Sequence, residues 1–516
     1  MRRRGFVLGS AGLLAAPALA QPAGDVLRYV AGAEVAAIDP VWRPTPEVRD
    51  AALLIYDTLY GLDDALRPQP QMVEGHTVSD DGLTWRMKLR ERLVFHDGTR
   101  VLARDCAASI KRWGSRDAVG MALMEAAEEV TAGDDRTIVV RLRYPFPLLP
   151  VLLARSAPSP CVIMPERLAR TDPSTAVTDA TGSGPYRLVP ESRLAFERFD
   201  GYVPRGDGAS QGTAGPKIAY FRRVEWSTTP DAAGALMRGE VDWLRQPAGD
   251  QLALLRKAPG ITTEVLETLG TMAVLRFNDL AAPFNNPAIR RALLPALSQA
   301  DYMTAVCGDD REAWRDGVGF LAPGTEYDSP GGMDALRAPR DLAAAQRALV
   351  AAGYNGERVA ILSAADDPTN RKLAAVSAEL LGKIGFAVDL QSMDTATFLR
   401  RQTMSDPVAA GGWSIFHTQL NGADTVNPAL HAWMRGNGRG APPGWPVSAA
   451  FEAMRGRFLR ETDPGEQKLR ARQMQAQAFE DLPYVPLGQI FTRSAYRTNL
   501  KGVLKGLPVF WNVRRG

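Results

Sequence analysis

Trp85, Met87 and Leu89 alternate with Arg86 and Lys88, and this period of two predicts a half-buried strand. Asp80-Asp81-Gly82 precedes it as a hairpin turn. Ile138, Val140 and Leu142 repeat the alternation after Gly133-Asp134-Asp135. Elsewhere the period lengthens. Thr45-Pro46-Glu47 is a helix start, with Val48, Ala52, Ile55 and Leu59 following at helical spacing up to Gly61. Further on, 358–362 reads as a short strand. Leu373, Val376, Leu380, Leu381 and Ile384 form one helix face, Gly385 stops it, and 386–390 reads as a second strand. A strand–helix–strand unit favours a parallel pair with a crossover. The front half is therefore hairpin-rich and the later half α/β, so the fold class is α/β with mixed α+β parts. Two stretches, 201–216 and 435–446, are too rich in Gly and Pro for regular structure.

A chain of 516 residues exceeds one ordinary domain. With 45% hydrophobic and 23% charged residues it is neither disordered nor collagen-like nor a polytopic membrane protein. The formal charge of +3 lacks the clustered Lys and Arg of a nucleic-acid footprint. Cys106, Cys161 and Cys307 allow at most one disulfide.

Residues 1–20 read as a cleaved export signal: a positive start, an apolar run from Phe6 to Ala16, and Ala18-Leu19-Ala20 as the cleavage site. The run is short of the roughly 20 apolar residues that span a bilayer. Arg3-Arg4-Gly5-Phe6-Val7 resembles a twin-arginine signal, with the general secretory route as the alternative. Cleavage removes three of the 61 Lys and Arg, which leaves a balance with the 58 Asp and Glu. The expectation is a soluble, monomeric, periplasmic protein.

Catalytic motifs are missing from the sequence. There is no phosphate-binding loop, no H-E-x-x-H, no G-x-S-x-G and no paired C-x-x-C. The four histidines, His76, His96, His417 and His431, form no ligand pair at helical spacing; His417 and His431 would need the fold to bring them together. The expectation is a non-enzyme with no cofactor and no metal.

A set of motifs in fixed order resembles the bacterial extracellular solute-binding proteins of family 5, the peptide, dipeptide and nickel binders of ABC importers. They include Val78-Ser79-Asp80-Asp81-Gly82-Leu83-Thr84-Trp85, Phe95-His96-Asp97-Gly98-Thr99 with Ala103 and Asp105, and Gly182-Ser183-Gly184-Pro185-Tyr186. Gly239-Glu240-Val241-Asp242, Phe277-Asn278, Ile289-Arg290-Arg291-Ala292-Leu293 and Pro483-Tyr484-Val485-Pro486-Leu487 follow. The resemblance implies two lobes joined by a hinge. The larger would hold 25–269 and 485–516, with an inserted subdomain at about 60–180, and the second would hold 270–484. Hinge segments are expected at 269–275 and 482–489. A peptide-like or other small polar solute would lie in the interlobe cleft, and the closed form would meet the importer's permease subunits. A ligand sensor, or a hydrolase using the same cleft, is the alternative.

Peptide-binding members carry an Asp three residues after a Gly-Trp pair, where it holds the peptide amine. Here the pair is Gly412-Trp413 and that position is Phe416, which cannot accept a hydrogen bond from an ammonium group. A modified peptide, opine, sugar or chelate thus fits as well as a peptide. The expected ligand-binding residues are Trp413, Phe416, His417, Asp424, Trp243 and Asn278, with Trp413 as an aromatic wall and Asp424 as the replacement acid.

Overall fold

The computed structural model describes residues 25–33, 35, 37–156, 159–189, 192 and 194–516, so the expected export signal lies outside the described residues. Three sheets organise it. The first has seven strands in the order Ile261–Glu264, Ser494–Arg497, Trp243–Leu244, Val26–Val30, Arg223–Ser227, Ala195–Arg198, Tyr186–Leu188. The second has six, in the order Trp314–Arg315, Tyr484–Ile490, Thr271–Phe277, Ile415–Asn421, Arg358–Ala364, Ala387–Met393. A four-stranded antiparallel sheet, Val73–Val78, Thr84–Leu89, Thr137–Leu142 and Ala127–Ala132, is inserted between strands of the first.

Periodicity located several of these elements. Thr84–Leu89 alternates between buried and exposed positions as its sequence does. Arg358–Ala364 and Ala387–Met393 pair in parallel over seven positions, joined by the helix Pro368–Ile384. Gly385 caps that helix in the left-handed region at φ 106°, where a side chain would strain the backbone.

Two boundaries differ from expectation. The helix that starts at Thr45 ends at Ile55, not Leu59. Its last turn meets the Gly182–Gly184 segment: Gly184 N donates to Ile55 O at 2.7 Å, and a Cβ on Gly182 would sit 2.1 Å from that same oxygen. His96 clamps the segment from the other side, with Gly182 N donating to Nδ1 at 3.1 Å and Nε2 donating to Gly184 O at 3.1 Å. The chain then turns away so that Asp57 meets Lys217 at 2.7 Å in a fully buried ion pair.

The second difference is the return to the first lobe. Tyr484–Ile490 pairs with Thr271–Phe277, so it belongs to the second lobe's sheet and the crossing lies at 491–493 rather than at Val485. Pro486 lies inside that strand. The strand accommodates it at a register shift opposite Ala273 and Val274, the kind of irregularity at which a strand tolerates proline. The outward crossing runs through 265–270. Two short crossings therefore join the lobes side by side. One buried apolar cluster extends from the inserted sheet, through Leu149 and Leu153, to Tyr327 and Met434 of the second lobe. The lobes are thus in contact.

Candidate ligand-binding cleft

Between the lobes lies a cavity of about 180 Å³. Its first-lobe wall is the tip of the hairpin Tyr60–Leu62 and Pro68–Pro70, with Asp63, Asp64 and Leu66, together with Ser156 and Thr213. The outward crossing forms its floor through Glu267, Thr268, Leu269 and Gly270, and Asn421 and Ala423 close it from the second lobe. A second space of about 430 Å³ shares Asp64, Leu66, Thr268 and Leu269 with it and runs on between Leu148 and Val151 on one side and Tyr327 and Asn427 on the other. The cleft is thus one region in two compartments, built from both lobes and from a crossing segment.

Its polar groups differ in how fully they are engaged. Asp63 is satisfied by Arg67, Gln69 and the amides of Ala65 and Arg67, and these bonds hold its carboxyl below the usual range. Lys505 is tied to Glu264, and the two form an ion pair. Glu267 is held loosely: Arg245 stands 3.5 Å from Oε1 and Asn421 Nδ2 donates to Oε2 at 3.4 Å. Arg245 must also serve Glu47 and Asp50, each at 3.2 Å. Glu267 is the carboxylate of that group with the weakest claim on the guanidinium, and it faces the cleft.

Five of the six expected ligand residues lie in lobe interiors. Trp413 is 0% exposed; its indole packs on Phe416 at 4.8 Å and Trp445 at 6.0 Å between ring centroids, and Nε1 donates to Met404 O at 3.0 Å. The indole expected as an aromatic wall is packed in the core of the second lobe, because the Gly412-Trp413 turn is held between two strands and the ring joins Leu362, Phe398 and Trp445. Phe416 sits in the same cluster, with Leu362 and Phe398. His417 is on the opposite strand face, and its Nε2 meets Ser377 Oγ at 2.7 Å. Asn278 Nδ2 donates to Trp413 O at 2.9 Å. Trp243 is first-lobe core, edge-on to Tyr29 and Phe510. His417 and His431 do not share a partner; His431 Nε2 bonds Tyr484 Oη at 2.8 Å. Burial holds both imidazoles neutral, pushed down to about 3. Only Asp424 borders the cleft, next to Ala423, and its partner is Arg155 of the first lobe at 2.9 Å.

A profile of the family described as "Bacterial extracellular solute-binding proteins, family 5 Middle" matches residues 67–441. The chain belongs to that family. Among its relatives, the "Probable peptide ABC transporter periplasmic-binding protein y4tO" of Sinorhizobium fredii is 34% identical over 98% of both chains. The "Glutathione-binding protein GsiB" of Salmonella typhi is 26% identical, over 96% of this chain and 94% of its own. Solved family folds superpose on it. The periplasmic binding protein DppA of Helicobacter pylori in complex with peptide STSA gives a TM-score of 0.75 at 22% identity, covering 95% of this chain and 98% of that one. AgaA of Agrobacterium tumefaciens, in complex with agropinic acid, gives 0.75 at 20% identity, covering 95% and 99%. The fold is therefore the two-lobed binding-protein fold of family 5. The cleft residues of this family 5 member were missed in the sequence because they sit in a hairpin tip and a crossing segment without aromatic or motif signals. The one usable signal was the Asp63-Asp64 pair at a hairpin tip.

Proposed function

We propose that this protein is the periplasmic solute-binding component of an ABC importer, capturing a peptide-like or other small polar solute between its lobes. The observation that carries this reading is the cleft itself, whose walls come from both lobes and whose floor is a crossing segment. A solute there touches both lobes only when they are closed, so it favours closure by its differential contacts. The permease then meets a closed monomer. Relatives named as peptide- and glutathione-binding proteins support a peptide-like solute. The scaffold bonds of His96, His417 and His431 support binding without chemistry, since each ring is engaged away from the cleft. Export by the twin-arginine route completes the reading and rests on Arg3-Arg4-Gly5-Phe6-Val7.

Native mass spectrometry of protein isolated from the periplasm tests the reading, with calorimetric titration of di- to tetrapeptides. A co-purified small solute, or a peptide bound in micromolar range or tighter, is expected. Recovery of an unliganded protein that binds no peptide, sugar or opine would refute it. Replacing Arg3 and Arg4 by Lys should strand the precursor in the cytoplasm; unchanged export would assign the general secretory route instead.

A further inference from the structure

Arg155 follows the helix Leu149–Ala154 of the inserted subdomain, and Asp424 lies in the turn Gly422–Thr425 of the second lobe. They are 269 residues apart, and Arg155 Nη2 donates to Asp424 Oδ1 at 2.9 Å. The flanking residues Ser156 and Ala423 both line the cleft. The pair therefore sits at the cleft's edge, where the lobes meet. Arg155 has a second acid on its own lobe: its Nη1 stands 3.4 Å from Asp117 Oδ1. That oxygen already caps the helix Ala118–Ala126 by accepting from Val119 N at 2.9 Å and Gly120 N at 3.0 Å. Arg155 is thus pre-positioned by a first-lobe carboxylate that makes little further demand on it.

We propose that Arg155 is an interlobe key that makes closure conditional: Asp424 enters the closed interface as a carboxylate because Arg155, docked on Asp117, is waiting for it. The proposal rests on the lobes opening and closing around the cleft as read above. In this structure, with the lobes in contact, the Asp424 and Arg155 side chains are 18% and 11% exposed. Water that solvates Asp424 when the lobes part is largely excluded when they meet. The charged groups acting on Asp424 there are Arg155 and Arg49, which favour its carboxylate, and Asp117, which opposes it. Burial is the largest influence and pushes its carboxyl above the ordinary value, so without Arg155 the closed state would hold a poorly compensated charge. Arg49 does not substitute, since it is engaged with Asp50 at 2.6 Å. The pair consequently acts as a check on register more than as a source of net attraction: closure a few ångströms out of place leaves the acid buried and unpaired.

Electron-spin distance measurements between labels on the lobes test this. Labels on Met121→Cys and Leu399→Cys occupy exposed helix positions of the inserted subdomain and the second lobe. Cys307→Ser removes the partly exposed native thiol, and Cys106 and Cys161 are buried. Samples are measured with and without an equimolar pool of tri- and tetrapeptides. Arg155→Met should reduce the short-distance, closed population at least tenfold in both samples. Adding Asp424→Asn to Arg155→Met should restore it, because the buried position then carries no charge; packing loss at Arg155 would not be rescued this way. An unaltered closed population in Arg155→Met overturns the proposal. So does a double variant that stays open, or a wild type without the short distance in any sample. A pool that leaves the wild type unmoved, while the variants lose and regain the short distance, refutes the peptide reading and leaves the key standing.

Discussion

Asn278 Nδ2 donates to the Trp413 carbonyl oxygen at 2.9 Å, so the two residues hold each other inside the second lobe. Asn278 also extends the sheet, with its own N–H donating to Ser414 O at 3.0 Å. The Gly412-Trp413 turn is pinned between the strands Thr271–Phe277 and Arg358–Ala364, where the Ser414 amide donates to Ala360 O at 2.9 Å. A residue at such a junction sets the direction of the next strand, and Ile415–Asn421 is the strand that delivers Asn421 to the cleft. Trp413 thus holds the interior of the second lobe together and does not line the cleft.

Trp413→Ala should therefore cost stability, about 3–5 kcal/mol for a fully buried Trp, and lower the unfolding midpoint. Solute affinity of the fraction that remains folded should stay within about threefold of wild type. Calorimetric unfolding and titration of the same sample separate the two. A variant with wild-type stability and lost affinity would put the indole back in the site.

The contrast between fold and site follows from what each leaves in a sequence. Strands such as Thr84–Leu89 and helices such as Pro368–Ile384 bury one face, so burial itself writes their period into the chain. The cleft writes none. Asp64, Glu267 and Asn421 come from a hairpin tip, a crossing and a strand end, and they meet where the two lobes come together. A Trp beside a Gly looks the same in sequence whether its indole faces solute or Phe416, and only the packing of Trp445 and Phe398 decides. The extent of the strand Tyr484–Ile490 is hidden for a related reason: a register shift, invisible in the sequence, absorbs Pro486 within it.

Stability should fall with acid through the buried histidines. His417 is held neutral with its pKa pushed down to about 3 by burial, against about 6.5 in the unfolded chain. The native state resists the proton, so this contribution is fully present above pH 6.5 and is lost as pH falls towards 3. At pH 4.5 the loss is about 2–3 kcal/mol for a single such group. Denaturant unfolding at pH 7.5 and 4.5 should show a smaller difference for His417→Gln than for wild type. An identical difference in both would mean that His417 does not carry the effect.

Gly270 ends the outward crossing at φ 51°, and a Cβ there would lie 2.2 Å from Ile490 O, at the start of the return crossing. At this point the two crossings leave no room for a side chain on residue 270. Gly270→Ala should combine left-handed strain, about 1–3 kcal/mol, with separation of the crossings. A lowered unfolding midpoint and a changed interlobe distance are expected together. A neutral substitution would show that the crossings move apart freely.

Glu267 offers the sharpest test of what the cleft selects. Arg245 faces Glu47, Asp50 and Glu267 at 3.2, 3.2 and 3.5 Å, and Arg49 is turned to Asp50. Three carboxylates thus share two guanidinium groups, and Glu267 is the one on the cavity wall. A solute ammonium would complete the balance there, supplying from outside the chain what Phe416 leaves out of the strand. Glu267→Gln keeps the shape and the amide partner Asn421, while Arg245 retains Glu47 and Asp50, so the fold should be unaffected. Losing a hydrogen bond to a charged group costs about 1.5–3 kcal/mol, so a peptide with a free amine should bind at least about tenfold more weakly. The N-acetylated form of the same peptide should bind both proteins alike. If Glu267→Gln weakens both forms equally, the carboxylate acts through the crossing segment; if it weakens neither, the solute's positive end lies elsewhere, and Asp64, exposed where the two compartments join, is the next residue to change.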